Sequence, residues 1–366
     1  MRAIGQSGAM TAHLTATQDA LPPLDRLGPR WQALEARAHG TFFTSWTWIG
    51  SWLRVTGAQP ELVSVQVEDG AEIGLALFGL ARERRRLGRQ PTLRLNEAGV
   101  PDADRVFIEY NAPLAAADRE SEVAVAIAAL LARRRDWRVL RLSGVEEDCA
   151  LVDAVPARRR ILLDVMPAHA VSLAQIGAAG GDYLSLLSSN TRSQIRRALR
   201  DHGDGAPHVM RAASAGEVEA WLAEMQRLNM GRHADNAWDA PLFRAFAREI
   251  ARTGLADGAV DLLRVTIGGD VTGYLLNFVH GDRAMNYQSA FAEPAGPKDK
   301  PGLLTHMAAV GHYAARDGLA LYSLLAGRDR YKESLATGCE MLQWWQIERF
   351  SPWLEAEYWL RRVLRR

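Results

Sequence analysis

The sequence predicts an α/β (α+β) protein of two domains, each a mixed, largely antiparallel sheet flanked by helices. The chain has 366 residues, whereas one domain usually needs roughly 150. Predicted helices, hairpins and strands follow one another in the same order in each half, which is typical of a mixed sheet covered by helices. A strand–turn–strand segment with a glycine at the same place also occurs in both halves, at Gly74 and at Gly273.

In the first half, helical spacing of apolar residues begins near Trp31 and returns from Trp46 to Val55. Alternating polarity on both sides of a Glu-Asp-Gly turn then predicts a hairpin of Glu61–Val67 and Glu72–Leu80. The remaining predicted elements of this half are a helix at Ser121–Arg134 and strands at Thr92–Asn96, Arg105–Tyr110, Trp137–Ser143 and Arg160–Val165.

The second half repeats this succession. Its predicted helices are Asp182–Arg200, Ala215–Asn229, Pro241–Thr253, Pro301–Arg316 and a short one near Arg330–Ala336. Its predicted strands are Val260–Ile267, Val271–Val279, Ala284–Phe291, Leu319–Leu325 and, closing the half, Met341–Glu348. We therefore expect a flexible leader at 1–25, domains at 26–168 and 169–350 with the active site in the second, and an amphipathic helix at 351–366.

Composition limits the classes of function. The formal net charge of +1 gives no general case for nucleic-acid binding. Two cysteines are too few for a disulfide framework, and no apolar run is long enough to cross a membrane. We expect a cytoplasmic protein, with a peripheral position at the inner membrane as the alternative. The last helix is expected to pack across the domain junction with its arginines in water, and contact with a membrane surface is the other interpretation. The histidines His280, His306 and His312 lack metal spacing, so we predict no metal site and treat them as polar or packing residues.

A stripe of arginines marks the segment 187–200. Arg192, Arg196 and Arg200 recur every four residues on one predicted helix face, with Arg197 beside them and Asn190 at the helix start. Like charges at this spacing cost local stability, so an anionic ligand would compensate them. A solvated basic face is the other interpretation.

Two further segments combine polar residues with a turn into a helix. Lys298 and Lys300 precede Pro301 and Gly302, where free backbone N–H groups of a helix start would suit a phosphate. After the predicted strand ending near Leu325, the chain turns at Gly327 into a polar run with a carboxylate, a hydroxyl and a cation, at Asp329, Tyr331 and Lys332. An exposed charged loop and a helix start capped by Asp329 are the alternatives.

The order of these motifs resembles a known family. Asn190-Thr-Arg with Ile195-Arg-Arg, Pro301-Gly-Leu-Leu and Gly327 followed by Tyr331-Lys332 are similar to the acetyltransferases described as cellulose-biosynthesis CelD/BcsL proteins. That family belongs to the GNAT superfamily and resembles the FemAB peptidyltransferases, which have two GNAT-like domains. This sequence departs from the family in carrying Ser323, where relatives often have Asp, and in having one glycine in the pyrophosphate loop.

The resemblance implies an acyltransferase (EC 2.3.1 class) with two GNAT-like domains and acyl-CoA as a co-substrate, without a permanently bound cofactor. An amine of a small molecule, saccharide or peptide would attack the thioester directly, and a base would remove its proton. Asp329 is the first candidate for this base and Glu293 the second, while Tyr287 or Tyr331 would protonate the leaving thiolate. Donor binding is assigned to Lys298, Lys300, Gly302, Leu303 and Lys332, and substrate binding to Asn190, Arg192, Arg196 and Arg197.

Two alternatives stay open at this point. The donor could be aminoacyl-tRNA, as in FemAB-type enzymes, or an acyl carrier protein, because a local arginine stripe needs only a small part of either partner. A non-catalytic GNAT-like protein that binds a partner in polysaccharide assembly is the third hypothesis, suggested by Ser323 and the incomplete loop.

Overall fold

A computed structural model describes residues 14–203, 205–232 and 236–364. The strands within them are β1 (Thr15–Asp19), β2 (Glu61–Gln66), β3 (Glu72–Arg85), β4 (Gly88–Leu95), β5 (Leu114–Ala115), β6 (Val139–Glu146), β7 (Arg159–Ser172), β8 (His208–Arg211), β9 (Val260–Ile267), β10 (Asp270–His280), β11 (Arg283–Phe291), β12 (Leu321–Ala326) and β13 (Gly338–Glu348). The helices are α1 (Leu24–Glu35), α2 (Trp46–Thr56), α3 (Pro101–Asp104), α4 (Glu120–Arg133), α5 (Ala150–Ala154), α6 (Leu173–Ala178), α7 (Ser189–Asp201), α8 (Ala215–Asn229), α9 (Pro241–Leu255), α10 (Pro301–Ala314), α11 (Arg330–Leu335) and α12 (Pro352–Val363).

All thirteen strands belong to one sheet, in the order β1-β2-β3-β4-β6-β13-β7-β12-β11-β10-β9-β8, with β5 paired to β3. In each half, four strands pair antiparallel, and the next strand of the sheet pairs in parallel with the fourth. The parallel steps join β4 to β6 and β11 to β12. This arrangement confirms the predicted class, a mixed and largely antiparallel sheet flanked by helices.

The two halves exchange their last strands. β7 follows the first half along the chain but pairs with β12 of the second half. β13 follows the second half but pairs with β6 of the first half, and it lies between β6 and β7. The expectation that β7 and β13 each complete the half preceding them was therefore wrong, and the predicted boundary at residues 168 and 169 falls inside β7. Local periodicity identifies a strand but carries no information about its partner.

An aromatic cluster joins the halves in the interior. Phe42 stacks on Phe278 with ring centroids 4.0 Å apart, and Trp48 packs edge-on against Phe246 at 4.9 Å. Tyr287 stacks on Phe278 from the other side at 4.7 Å. Since each ring of this cluster is buried, one continuous core supports both halves.

Three predicted segments differ from the structure. The leader was expected to be flexible through residue 25, yet residues 15–19 form an edge strand on β2 and α1 begins at Leu24; residues 1–13 lie outside the described part of the chain. The predicted helix from residue 182 begins only at Ser189, because Ser188 accepts a hydrogen bond from the N–H of Thr191 and caps it there. Residues 105–110 form a loop instead of a strand, with positive φ angles at Phe107 and Tyr110.

Candidate active site

The parallel strands β11 and β12 open into a gap. They pair only from Arg283–Leu321 to Met285–Ser323 and then diverge. Leu325 has a φ of 57°, and the register of β12 against β7 shifts at the same place. Ser323 stabilises this turn, because its Oγ accepts a hydrogen bond of 3.1 Å from the N–H of Leu325. The buried hydroxyl of Ser323 therefore holds the strand bend that opens the gap.

The β11 side of the gap presents backbone groups. The carbonyls of Ser289 and Phe291 accept hydrogen bonds from the side chains of Asn229 and Arg232, at 3.1 and 2.8 Å. These alternate residues thus point their backbone groups away from β10. The N–H and C=O of one strand residue point to the same edge, so the N–H groups of Ser289 and Phe291 face the gap as well. Such N–H groups suit a carbonyl oxygen that gains negative charge.

The β12 side carries the polar run after Gly327. Lys332 donates a hydrogen bond of 2.8 Å from Nζ to the carbonyl of Ala326, the last residue of the strand. Asp329 is exposed and lies at the N-cap position, one residue before α11. A side chain at Gly327 would meet Lys332 Nζ at 2.9 Å and Asp329 Oδ2 at 3.2 Å, so glycine lets both approach the strand end. Burial lowers the pKa of Lys332, while Glu109 and Asp329 oppose that shift.

Glu109 reaches this site from the first half. Its Oε2 accepts a hydrogen bond of 2.8 Å from the N–H of Ala326. Burial raises the pKa of Glu109, and that bond and the charge of Lys332 act in the opposite direction. Sequence reasoning missed this carboxylate because residues 105–110 were predicted as a strand of the other half. Its place depends on a contact across 217 residues, which no local pattern reveals.

His306 is a second residue that the sequence did not single out for function. It is fully buried on α10, its Nδ1 lies 3.0 Å from the hydroxyl of Tyr322, and its ring stacks on Tyr331 at 5.7 Å. Its buried Nε2 has no hydrogen-bond partner within the described residues. Burial lowers the pKa of His306 to about 3, with Lys332 adding to the effect, so the ring is neutral at pH 7. Burial, followed by the charge of Asp329, raises the pKa of Tyr331, which therefore keeps its proton.

The start of α10 borders the gap through Phe291. A Cβ at Gly302 would lie 3.2 Å from the Phe291 ring, so the glycine lets the helix start pack against the end of β11. Leu303 packs in the same apolar cluster. Lys300 precedes the helix and is half-buried, whereas Lys298 is exposed and lines a neighbouring cleft of about 420 Å³. The first turn contains no acidic residue, so its backbone N–H groups and positive dipole end favour an anion.

Other predicted site residues lie apart from this group. Tyr287 is in the aromatic core, where its hydroxyl donates a hydrogen bond of 2.6 Å to the carbonyl of Val106 and burial raises its pKa. Glu293 is exposed beyond the end of β11. The sequence named Tyr287 as a candidate acid and Glu293 as a candidate base, but the side chain of Tyr287 faces the core.

The predicted substrate-binding residues lie along α7. Arg192 is half-buried and reaches the carbonyl of Ser185, whereas Asn190, Arg196 and Arg197 are exposed. The arginines carry no ion pair to the described part of the chain. α7 packs on α10 through its apolar face, including Ile195, so the arginine stripe faces solvent.

The first half contains an equivalent opening between β4 and β6, but its own chain fills it. The N–H of Asn111 donates a hydrogen bond of 3.1 Å to the carbonyl of Gly144 on β6. Asn96 donates to the side chain of Asn111 at 2.9 Å and holds the loop in place. In the first half a backbone segment thus pairs with the strand edge, whereas in the second half the side chains of Glu109 and Lys332 bond to the end of β12.

Sequence and structure comparisons agree with this geometry. Residues 189–333, which contain the gap, match the family described as Acetyltransferase (GNAT) domain. This segment therefore resembles a GNAT acetyltransferase domain. A search of curated proteins gave no significant match.

Solved structures resemble the whole chain in fold. FemX superposes with a TM-score of 0.57 and 10% identity, covering 92% of this chain and 99% of FemX. A conserved protein of unknown function from Bacteroides thetaiotaomicron gives 0.54 and 11%, covering 88% and 97%. L-PGS from Bacillus licheniformis gives 0.52 and 11%, covering 92% and 97%. At these identities the likeness concerns the fold. No helix in the described residues is long and apolar enough to span a membrane.

Proposed function

We propose that this protein is an N-acyltransferase that moves an acyl group from acyl-CoA to an amine in the gap between β11 and β12. The observation that carries the proposal is the convergence of Glu109, Lys332 and the stacked pair Tyr331–His306 at this gap, inside the segment that matches the acetyltransferase domain. The start of α10, with Lys300, offers a place for the donor's phosphates. The proposal includes that the chain is related to the CelD/BcsL type of acetyltransferase.

The chemistry follows from the groups at the gap. The acceptor amine attacks the thioester carbonyl, whose oxygen takes up negative charge beside the N–H groups of Ser289 and Phe291. The C–N bond forms, the C–S bond breaks, and the amine loses a proton to a carboxylate. We assign this base to Glu109 in place of Asp329, because burial raises the pKa of Glu109 towards the range where a base works best near neutral pH. Tyr331 protonates the leaving thiolate.

Thiol release from acetyl-CoA in the presence of a panel of amines tests the proposal. We expect Glu109→Gln to lower kcat by roughly 100-fold, because general-base catalysis typically contributes that much, with little change in acetyl-CoA affinity measured by calorimetry. Glu293→Gln is the matched control, since this exposed glutamate lies outside the gap, and it should keep wild-type activity.

Two outcomes would contradict the proposal. A wild-type protein that binds none of the acyl-CoA donors by calorimetry would reject the donor and favour the non-catalytic hypothesis. Normal kcat in Glu109→Gln would reject the assigned base but leave the donor site standing.

Aminoacyl-tRNA is a second candidate donor, favoured by Arg196 and Arg197 of α7, which are exposed and form no ion pair within the described residues. Binding through Arg196 and Arg197 would weaken steeply with salt, because contacts to phosphates release counterions. The double variant Arg196→Ala, Arg197→Ala should then lose tRNA affinity in a gel-shift titration while keeping its affinity for acetyl-CoA. If the donor is instead an acyl carrier protein, which presents an acidic surface, its binding should depend on the same two arginines. The chain should then not bind tRNA.

A further inference from the structure

Helix α12 has an unusual polarity, because its charged side faces the protein and its apolar side faces solvent. Glu357 is 2% exposed and pairs with Arg85 at 3.3 Å and with Arg361 at 2.5 Å. Glu355 pairs with Arg159 at 2.9 Å. The pairs with Arg85 on β3 and Arg159 on β7, together with the buried Leu354, attach the helix to the sheet, whereas Glu357–Arg361 lies within the helix.

The opposite face is apolar and uncovered. It exposes large side chains whose exposed fractions are 63% for Trp353, 57% for Trp359, 39% for Leu360, 68% for Val363 and 64% for Leu364. Phe350, just before the helix, is 65% exposed. Val363 lies three residues after Leu360 and four after Trp359, and this spacing places the three side chains on one side of the helix. A soluble helix normally buries such a stripe.

Arginines surround this apolar face. Arg361 and Arg362 end the helix, and the guanidinium of Arg362 lies 5.6 Å from the Trp359 ring. At the other end, Arg349 reaches the carbonyl of Ala132 at the end of α4, next to the exposed residues Arg133 and Arg135. Glu355 and Glu357 are paired with arginines of the sheet, and Arg361 is itself paired with Glu357, so Arg362 is the arginine of the last turn that adds positive charge beside the apolar face.

We propose that the outer face of α12 docks on an anionic lipid surface. Tryptophan and leucine on one face with arginines along its borders is the composition of helices that lie in a membrane interface. A second copy of the chain fits less well. A helix of twelve residues is about 18 Å long and presents a few hundred Å², well below the roughly 800 Å² per partner of a stable protein interface.

Co-sedimentation of the full chain with vesicles tests the docking. One set contains phosphatidylcholine alone and the other phosphatidylcholine and phosphatidylglycerol in equal parts. We expect binding to the second set that weakens as salt is raised, because surface charges are screened. Trp359→Glu should weaken this binding by at least about tenfold, since it places a charge in the apolar stripe.

Val125→Glu is the matched control, because Val125 is 61% exposed on α4 and lies about two helical turns before the carbonyl of Ala132 that Arg349 reaches. Both variants change exposed side chains, and thermal unfolding should show the wild-type midpoint for each. The proposal is overturned if the wild-type chain stays in the supernatant with anionic vesicles, if it binds neutral vesicles equally well, or if Trp359→Glu binds as tightly as Val125→Glu. A dimer in sedimentation equilibrium that Trp359→Glu abolishes, without vesicle binding, would assign the face to a second copy instead.

Discussion

At the scale of single residues, the gap is lined by side chains whose protonation is set by burial. His306 is neutral because its ring is fully buried, and it holds the ring of Tyr331 by stacking. A neutral ring can accept or donate through Nδ1 to Tyr322 without bringing a charge into the core. The free energy of unfolding should therefore depend on whether His306 takes up a second ring proton.

The pKa of His306 is about 3 in the folded protein and 6.5 in the unfolded chain. Because the folded value is depressed, the unfolded chain binds the extra proton between these pH values, and stability is lost as pH falls below about 6.5. From pH 7 to pH 5 the loss attributable to this group is about 2 kcal/mol, since one pKa unit corresponds to about 1.4 kcal/mol. Urea unfolding of the wild type and of His306→Gln at both pH values measures it.

His306→Gln keeps a polar atom near Tyr322 and has no proton to gain in this range. Between pH 7 and pH 5, its free energy of unfolding should fall by about 2 kcal/mol less than that of the wild type. Equal pH dependence of the two proteins would show that His306 does not titrate as its burial implies.

At the scale of elements, the hairpins β2–β3 and β9–β10 are built alike. In each, the strand register shifts immediately before the glycine, next to Gly74 in one and Gly273 in the other. A helix covers each glycine closely. A Cβ at Gly74 would lie 2.6 Å from the side chain of Val123 on α4, and one at Gly273 would lie 2.8 Å from Thr305 on α10. The glycine that the sequence repeats is therefore the point where the crossover helix packs on the sheet.

Gly273→Ala should destabilise the protein by about 1–3 kcal/mol, because its Cβ would also lie 2.7 Å from the backbone carbonyl of Ala290, which cannot move aside easily. Chemical unfolding monitored by circular dichroism gives the change. Gly216→Ala is the control, since this helical glycine has open space around it and alanine there should stabilise by about 0.5–1 kcal/mol. Equal stability of the Gly273 variant and the wild type would show that α10 does not need this contact.

At the scale of the whole molecule, the exchanged strands and the shared core make the two halves depend on each other. β13 pairs with β6 of the first half along one edge and with β7 along the other. Glu109 also crosses from the first half to the end of β12. The candidate site is thus made by both halves, although most of its residues come from the second.

Thermal unfolding should therefore be a single transition, with a calorimetric enthalpy close to the van't Hoff value. Ile347→Ala, at a buried position near the end of β13, should lower the free energy of unfolding by about 2–5 kcal/mol and keep one transition, because both halves lose the same strand contact. Two separate transitions in the calorimeter, with only one shifted by the variant, would contradict this coupling.

The sequence by itself determined the fold class, most element positions and the segment that carries the candidate site. Turns, capped helix starts and apolar periodicity are local signals, so the hairpins, α10 and α11 could be predicted from residues close in the chain. The same signals placed Lys332, Tyr331 and Gly302 next to elements that do meet at the gap. They failed at residues 105–110, whose loop conformation is stabilised by contacts with the other half.

The tertiary structure alone decided which strands are neighbours, and hence which residues join the site. Strand exchange and the positions of Glu109 and His306 depend on contacts between residues far apart in sequence, and such contacts are selected by packing of the complete core. The inward charge of α12 has the same origin, because Arg85 and Arg159, which pair with its glutamates, come from distant strands. Local amphipathicity predicted the helix, but only the packed protein shows that its apolar face is the one left uncovered.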